Sequence, residues 1–64
     1  MEREIGYIQR VIEKGEYFKA LRESKKLIKK VPDNIYVLNF IGLSLQGLNE
    51  TVESLKYFKK ALLI

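Results

Sequence analysis

Apolar and small residues recur every three or four positions along most of the chain, a spacing that predicts α-helices. In the clearest stretch this set is Tyr17, Ala20, Leu21, Ser24, Leu27, Ile28 and Val31. The other face of the same stretch carries Lys19, Arg22, Lys25, Lys26, Lys29 and Lys30. Such a helix packs its apolar side against a neighbour and leaves its charged side in water. No segment alternates strictly between apolar and polar residues, so we predict an all-α fold.

Helix-ending signals divide this pattern into four segments. Pro32, followed by Asp33 and Asn34, is typical of a helix end followed by a new helix start. Gly15 and the run 47–50, which contains Gly47 and Asn49, offer residues that tolerate a left-handed backbone. The predicted helices are roughly 2–14, 17–31, 34–47 and 51–63. Short turns between helices favour antiparallel neighbours, and therefore two helix-turn-helix hairpins.

The third predicted helix is apolar on almost every side. No charged residue lies between Asp33 and Glu50. A helix of this kind is buried by several neighbours. Gly42, near its middle, would let one of them approach closely. On the second and fourth helices, Ser24 and Ser54 fall on the packing side, where a small residue has a structural role.

The two halves of the chain align when one is shifted by about 34 residues. Under this shift Gly15 meets Asn49, Ala20 meets Ser54, and Ile28 meets Leu62. We therefore predict a single domain, residues 1–64, made of a first repeat over about 1–33 and a second over about 34–64.

This period and pattern resemble the tetratricopeptide repeat (TPR) family. In the second half the resemblance is carried by Leu38, Ile41, Gly42, Leu45, Ser54, Leu55, Phe58 and Ala61. In the first half it is carried by residues 15–21 and Pro32. The chain departs from the family pattern at Glu4, Ile8, Asn49 and Thr51. The resemblance implies a fragment of a right-handed solenoid, and the alternative is an unrelated four-helix up-down bundle.

Composition argues against catalysis. The 64 residues include no His and no Cys, and the 12 basic and 8 acidic residues give a net charge of +4. The commonest acid/base group and thiol nucleophile are therefore missing, and the scattered carboxylates are better explained as surface ion pairs. The four glycines are isolated, so no phosphate-binding loop is present. We expect no enzyme activity, cofactor or metal, and a cytoplasmic chain with no membrane segment or secretory signal.

The TPR resemblance implies that the first helix of each hairpin lines a concave groove. The groove positions are Ile5, Gln9, Ile12 and Glu13 in the first repeat, and Tyr36, Asn39, Leu43 and Gln46 in the second. The family's carboxylate-binding members use Lys, Arg and Asn on this face, whereas here the places are mostly apolar. We expect a protein partner, an apolar peptide or helix, in this groove. Alternatively, these residues pack against one another or against another copy.

Two repeats are few for a stable array, and the sequence ends on the apolar run 61–64. Either the chain is a piece of a longer array or two copies pack together, by a symmetric interface or by exchange of a hairpin. We expect self-association as a homodimer. The residues predicted to mediate it are Phe40, Tyr57, Leu62 and Ile64.

The basic face of the second helix raises a different hypothesis. A row of Lys and Arg is able to bind nucleic acid through phosphate contacts. Such a row is more often only a solvated helix face, and no aromatic residue alternates with these lysines to stack on bases. Nucleic-acid binding is therefore the alternative to the protein-interaction scaffold.

Overall fold

The computed structural model describes residues 1–64 and contains four α-helices and no strands. The predicted all-α fold is confirmed. The helices are α1 (Glu2–Glu13), α2 (Tyr17–Ile28), α3 (Ile35–Gly47) and α4 (Thr51–Leu63). They form a compact body of 25 × 24 × 15 Å. None of the four helices has the length and apolar character needed to cross a lipid bilayer.

The turns that close the two hairpins have the same backbone geometry. Gly15 and Asn49 are the two residues with left-handed φ, at 78° and 65°. Each follows a helix whose last carbonyls accept bonds from the turn. The matching bonds are Glu16 N–H to the Val11 carbonyl at 3.1 Å and Glu50 N–H to the Leu45 carbonyl at 2.8 Å. This is the Schellman arrangement, and it occurs twice at the spacing of the sequence repeat.

The boundary between the hairpins differs slightly from the prediction. α2 ends at Ile28, not at residue 31, and Val31 lies outside the helix. The ring of Pro32 disfavours helical backbone at Val31, the residue before it, so the helix does not extend to residue 31. α3 begins at Ile35 because Asn34 is its cap, with the Asn34 side-chain oxygen accepting a 3.1 Å bond from the Val37 N–H.

α3 is the central helix and packs against α1, α2 and α4. Val37 and Ile41 are fully buried, as expected for a helix that is apolar on almost every side. The core cluster consists of Ile8, Leu27, Val37 and Phe40. The fold therefore depends chiefly on the packing of α3 against its neighbours.

Two glycines of α3 lie directly against aromatic rings. A Cβ at Gly42 would stand 2.5 Å from the nearest atom of the Phe58 ring, which confirms the close approach predicted there. A Cβ at Gly47 would stand 2.4 Å from the Tyr17 ring. Gly47 is helical, and the left-handed backbone of the turn is at Asn49. The lack of a side chain at Gly47 therefore makes room for the Tyr17 ring and is not required by the turn.

Three serines are buried inside the helix packing. Ser24 Oγ donates to the Ala20 carbonyl at 2.6 Å, Ser44 Oγ to that of Phe40 at 2.7 Å, and Ser54 Oγ to that of Thr51 at 2.7 Å. The small size of serine lets helices approach, and the local bond removes the cost of burying a hydroxyl. The packing role predicted for Ser24 and Ser54 is confirmed.

α4 is buried less than its pattern predicted. Leu55 and Leu62 continue the apolar spacing of this helix, but they are 60% and 86% exposed. The physical reason is that α4 packs against α3 alone. Only one narrow side of α4, centred on Ser54, is therefore covered.

The left-handed turns give a direct stability test. Asn49→Ala is expected to lower the free energy of unfolding by about 1 kcal/mol, because alanine adopts this backbone less readily than asparagine. Gly15→Ala should show a similar loss, since a Cβ there meets no atom within 4 Å and only backbone strain remains. Asn49→Gly should be at least as stable as the parent. Urea unfolding followed by circular dichroism measures all three, and an unchanged Asn49→Ala would contradict the assigned turn.

Candidate protein-binding groove

An open groove of about 740 Å³ runs between α1 and α3. From α1 it is lined by Glu2, Ile5, Gly6, Gln9, Ile12 and Glu13. From α3 it is lined by Tyr36, Asn39, Phe40 and Leu43. We call this the α1/α3 groove.

Seven of the eight residues predicted for a groove line this one. They are Ile5, Gln9, Ile12, Glu13, Tyr36, Asn39 and Leu43. The eighth, Gln46, is exposed and is not among the lining residues. The structure therefore brings seven of the predicted positions together on one surface.

The two helices present equivalent repeat positions to the groove. At the 34-residue shift the matching pairs are Glu2 and Tyr36, Ile5 and Asn39, Gly6 and Phe40, and Gln9 and Leu43. The surface is thus formed by the same face of the first helix in each hairpin. The residue types differ between the two helices. Apolar Ile5 of α1 corresponds to polar Asn39 of α3, and polar Gln9 of α1 corresponds to apolar Leu43 of α3.

Apolar side chains are accessible in the α1/α3 groove. Tyr36 is 61% exposed and Leu43 is 40% exposed, while Ile5 and Ile12 are half-buried and also pack on the core. Phe40 is different, because only 9% of it is exposed and it belongs to the core cluster. Its predicted place in a self-association surface is therefore corrected to a core position that borders the groove.

The charges in the groove are both negative. Glu2 and Glu13 are its only charged residues, and neither takes part in a salt bridge. Gln9 and Asn39 supply uncharged amides between them. No Lys or Arg lines the groove, although the chain as a whole is basic.

A second, basic cleft of about 470 Å³ lies between α1 and α2. Its basic residues are Arg3, Arg10, Lys26 and Lys30. Tyr7 of α1 also lines it, and the Lys19 ammonium lies 5.8 Å from the centre of the Tyr7 ring. Interaction with the Tyr7 hydroxyl raises the pKa of Lys19 above its usual value. The basic row predicted on α2 is therefore joined by Arg3 and Arg10 of α1, a contribution that was not predicted.

Acidic residues near these basic side chains are locally paired. Glu4 Oε1 lies 3.0 Å from the amino group of Met1, and hydrogen bonding to that group lowers the pKa of Glu4. Glu23 lies 3.7 Å from Lys26 Nζ. On α4, Lys56 Nζ donates to Glu53 at 2.9 Å and lowers the pKa of Glu53. These exposed pairs account for three of the eight carboxylates. The other five have no ion pair, and two of them, Glu2 and Glu13, line the α1/α3 groove.

α4 carries an exposed apolar surface, the α4 outer face. It consists of Val52, Leu55, Leu62, Leu63 and Ile64. Leu62 and Ile64, both predicted for self-association, are 86% and 63% exposed. Tyr57 is half-buried, with the Lys60 ammonium 4.9 Å from its ring centre. Val52, Leu55 and Leu63 were not predicted for this surface.

No group of three or more acidic side chains comes together as a possible metal site. Comparison with known protein families, with curated proteins and with solved structures found no match to this chain.

Proposed function

We propose that this chain is a TPR-like protein-interaction module that binds an apolar helix or peptide in the α1/α3 groove. The observation that carries the proposal is that seven of the eight predicted groove positions lie together on one accessible surface. A groove between two packed helices accepts a further helix through the same ridge-and-groove contacts that hold the fold together. The proposal includes no catalytic step.

The internal symmetry of the chain supports the TPR-like part of the proposal. The two hairpin turns share their left-handed residue and their hydrogen bonds, and the groove uses equivalent positions of both first helices. In a solenoid, repeated units stacked in this way create a concave binding surface. An unrelated four-helix bundle would not need the same positions in each half.

Burial of Tyr36 and Leu43 supplies the driving force. Both are substantially exposed in the free chain, and apolar area removed from water contributes about 25 cal/mol per Å². Aromatic anchors at the centre of an interface commonly dominate binding. Gln9 and Asn39 offer hydrogen bonds that set the register of the partner.

Isothermal titration with a designed amphipathic helical peptide tests the proposed function. Its apolar face should carry leucines at i, i+4 and i+7, the spacing of a helix that lies in a groove. Saturable binding with a negative heat-capacity change is expected, because apolar surface is buried. Absence of binding at millimolar peptide would contradict the proposal.

We propose in addition that two copies associate through the α4 outer face. Leu62→Asp is expected to convert a dimer to a monomer, because it places a charge in an apolar interface. Leu43→Asp, in the α1/α3 groove, is the matched control and should leave the mass unchanged. Light scattering on a size-exclusion column over a wide range of concentrations measures this. A parent chain that stays monomeric at high micromolar concentration would refute self-association.

Nucleic-acid binding is the second candidate function, and one observation favours it. Tyr7 lies in the basic cleft among α1 and α2 cations, and an aromatic ring beside Lys and Arg is able to stack on a base. Binding that collapses steeply with salt and is lost on charge reversal at Lys25, Lys26 and Lys29 would support this candidate. Binding that is unaffected by those charge reversals but is lost on Leu43→Asp would support the protein-interaction module.

A further inference from the structure

We infer that the occupant of the α1/α3 groove is an amphipathic helix from a protein partner, with a Lys or Arg at each end of its apolar face. The inference rests on the proposed function and adds the chemistry of the partner. It follows from the charge, placement and spacing of Glu2 and Glu13.

The first observation is the sign of the groove's charge. The chain has 12 basic and 8 acidic residues, yet none of the 12 lines the groove and two of the 8 do. Neither of these two glutamates has an ion-pair partner in the chain. Electrostatic complementarity therefore favours a basic partner and disfavours an acidic one.

The second observation is that Glu13 lies at the end of α1, where the helix dipole disfavours an acidic side chain. Glu2 is in the first turn of α1, where an acidic side chain stabilises a helix through its dipole. Glu13 is the last residue of α1, beside the negative end of the same dipole, where a basic residue is preferred. A residue that opposes the local preference without a compensating contact is a candidate for function.

The spacing of the two glutamates defines the partner helix. They are the first and last residues of the twelve-residue helix α1, about 16 Å apart along its axis. A separation of eleven residues is just over three helical turns, so both lie on the same side of α1. A partner helix lying along α1 would need basic residues at i and i+11, with apolar residues at i+4 and i+7 between them. This pattern serves either direction of the partner.

Three peptides test the inference. They share one apolar face and differ only at i and i+11, which hold Lys, Gln or Glu. At low salt we expect the Lys peptide to bind about fivefold more tightly than the Gln peptide, and the Glu peptide to bind several-fold more weakly. The fivefold difference in affinity is expected because the Lys peptide forms two exposed ion pairs, each strengthening binding by about twofold to threefold. High salt should reduce these differences through screening.

Variants of the chain locate the effect. Glu2→Gln with Glu13→Gln should remove the preference for the Lys peptide. Glu50→Gln, an exposed glutamate outside the groove and without an ion pair, is the control and should keep the full preference. Glu13→Gln alone should reduce the preference for the Lys peptide over the Gln peptide to about twofold. In urea unfolding this variant should be at least as stable as the parent. A clearly less stable Glu13→Gln would show that Glu13 serves the fold.

The possible outcomes distinguish failure of the charge inference from failure of the proposed function. If all three peptides bind equally, the inference about charge is overturned and the groove proposal stands. If a preference for Lys survives the double substitution, the glutamates are not its source and the inference is again overturned. If no peptide binds, both the proposed function and this inference are contradicted.

Discussion

Ile41→Ala is expected to leave most of the chain unfolded at room temperature. Ile41 is fully buried in α3, the helix on which the other three pack. Truncating a buried isoleucine to alanine costs about 2–5 kcal/mol, through lost apolar burial and the cavity that remains. A single core of this size rarely supplies more than about 3–5 kcal/mol in total. The substitution therefore removes most of the stability.

Two companion variants calibrate this result. Ile41→Val removes one methyl group and should cost only about 0.5–1.5 kcal/mol, with the fold retained. Val52→Ala is at an exposed position of α4 and should change stability by less than about 0.5 kcal/mol. Urea unfolding, carried out at one low protein concentration and followed by the helical circular dichroism signal, measures all three variants. If Ile41→Ala were as stable as Ile41→Val, the central role of α3 would be wrong.

Leu43→Asp is expected to weaken binding of the amphipathic peptide by more than tenfold. The aspartate would put a charge in the apolar part of the α1/α3 groove, where the bound peptide excludes water. It would also add a third negative charge beside Glu2 and Glu13. Because Leu43 is 40% exposed in the free chain, the fold should survive with a modest loss of stability. The effect should therefore appear in the dissociation constant measured by titration calorimetry.

Leu62→Asp is the matched control for this experiment. It introduces the same charge on the α4 outer face, outside the α1/α3 groove, and should leave peptide affinity within about twofold of the parent. Circular dichroism of both variants confirms that each is folded at the temperature of the titration. Equal loss of affinity in both would mean that the peptide binds elsewhere or responds only to overall charge.

Much of the fold could be predicted from the sequence because it depends on local signals. Gly15 and Asn49 mark turns that need a left-handed backbone, and Pro32 marks the boundary between hairpins. The lack of charge in α3 indicated its central position, and Gly42 indicated a close helix contact. Each of these features acts through its own residue or its immediate neighbours.

Features that depend on which helices meet could not be predicted in this way. Leu55 and Leu62 continue the apolar pattern of α4, but pattern alone does not reveal that α4 has a single neighbour. Phe40 looked available for association because α3 is apolar all round, and only the packing of α1 and α2 places it in the core. The contact between the Tyr17 ring of α2 and Gly47 of α3 likewise depends on how these two helices pack, and the local sequence does not indicate it.

The candidate groove was predictable in position but not in charge. The TPR resemblance identified Ile5, Asn39 and Leu43 as members of one face. The absence of partners for Glu2 and Glu13 appears only when every possible ion pair has been placed in space. The basic cleft likewise needed the tertiary fold, because it combines residues from α1 and α2.

The central claim is that the α1/α3 groove is where this chain binds its partner. Chemical-shift mapping by nuclear magnetic resonance, with isotope-labelled chain titrated with the unlabelled Lys peptide, tests it most directly. We expect the largest saturable shifts at Ile5, Gln9, Asn39 and Leu43, with little change in the basic residues of α2. Shifts concentrated on α2 or on the α4 outer face, with the groove unchanged, would contradict it.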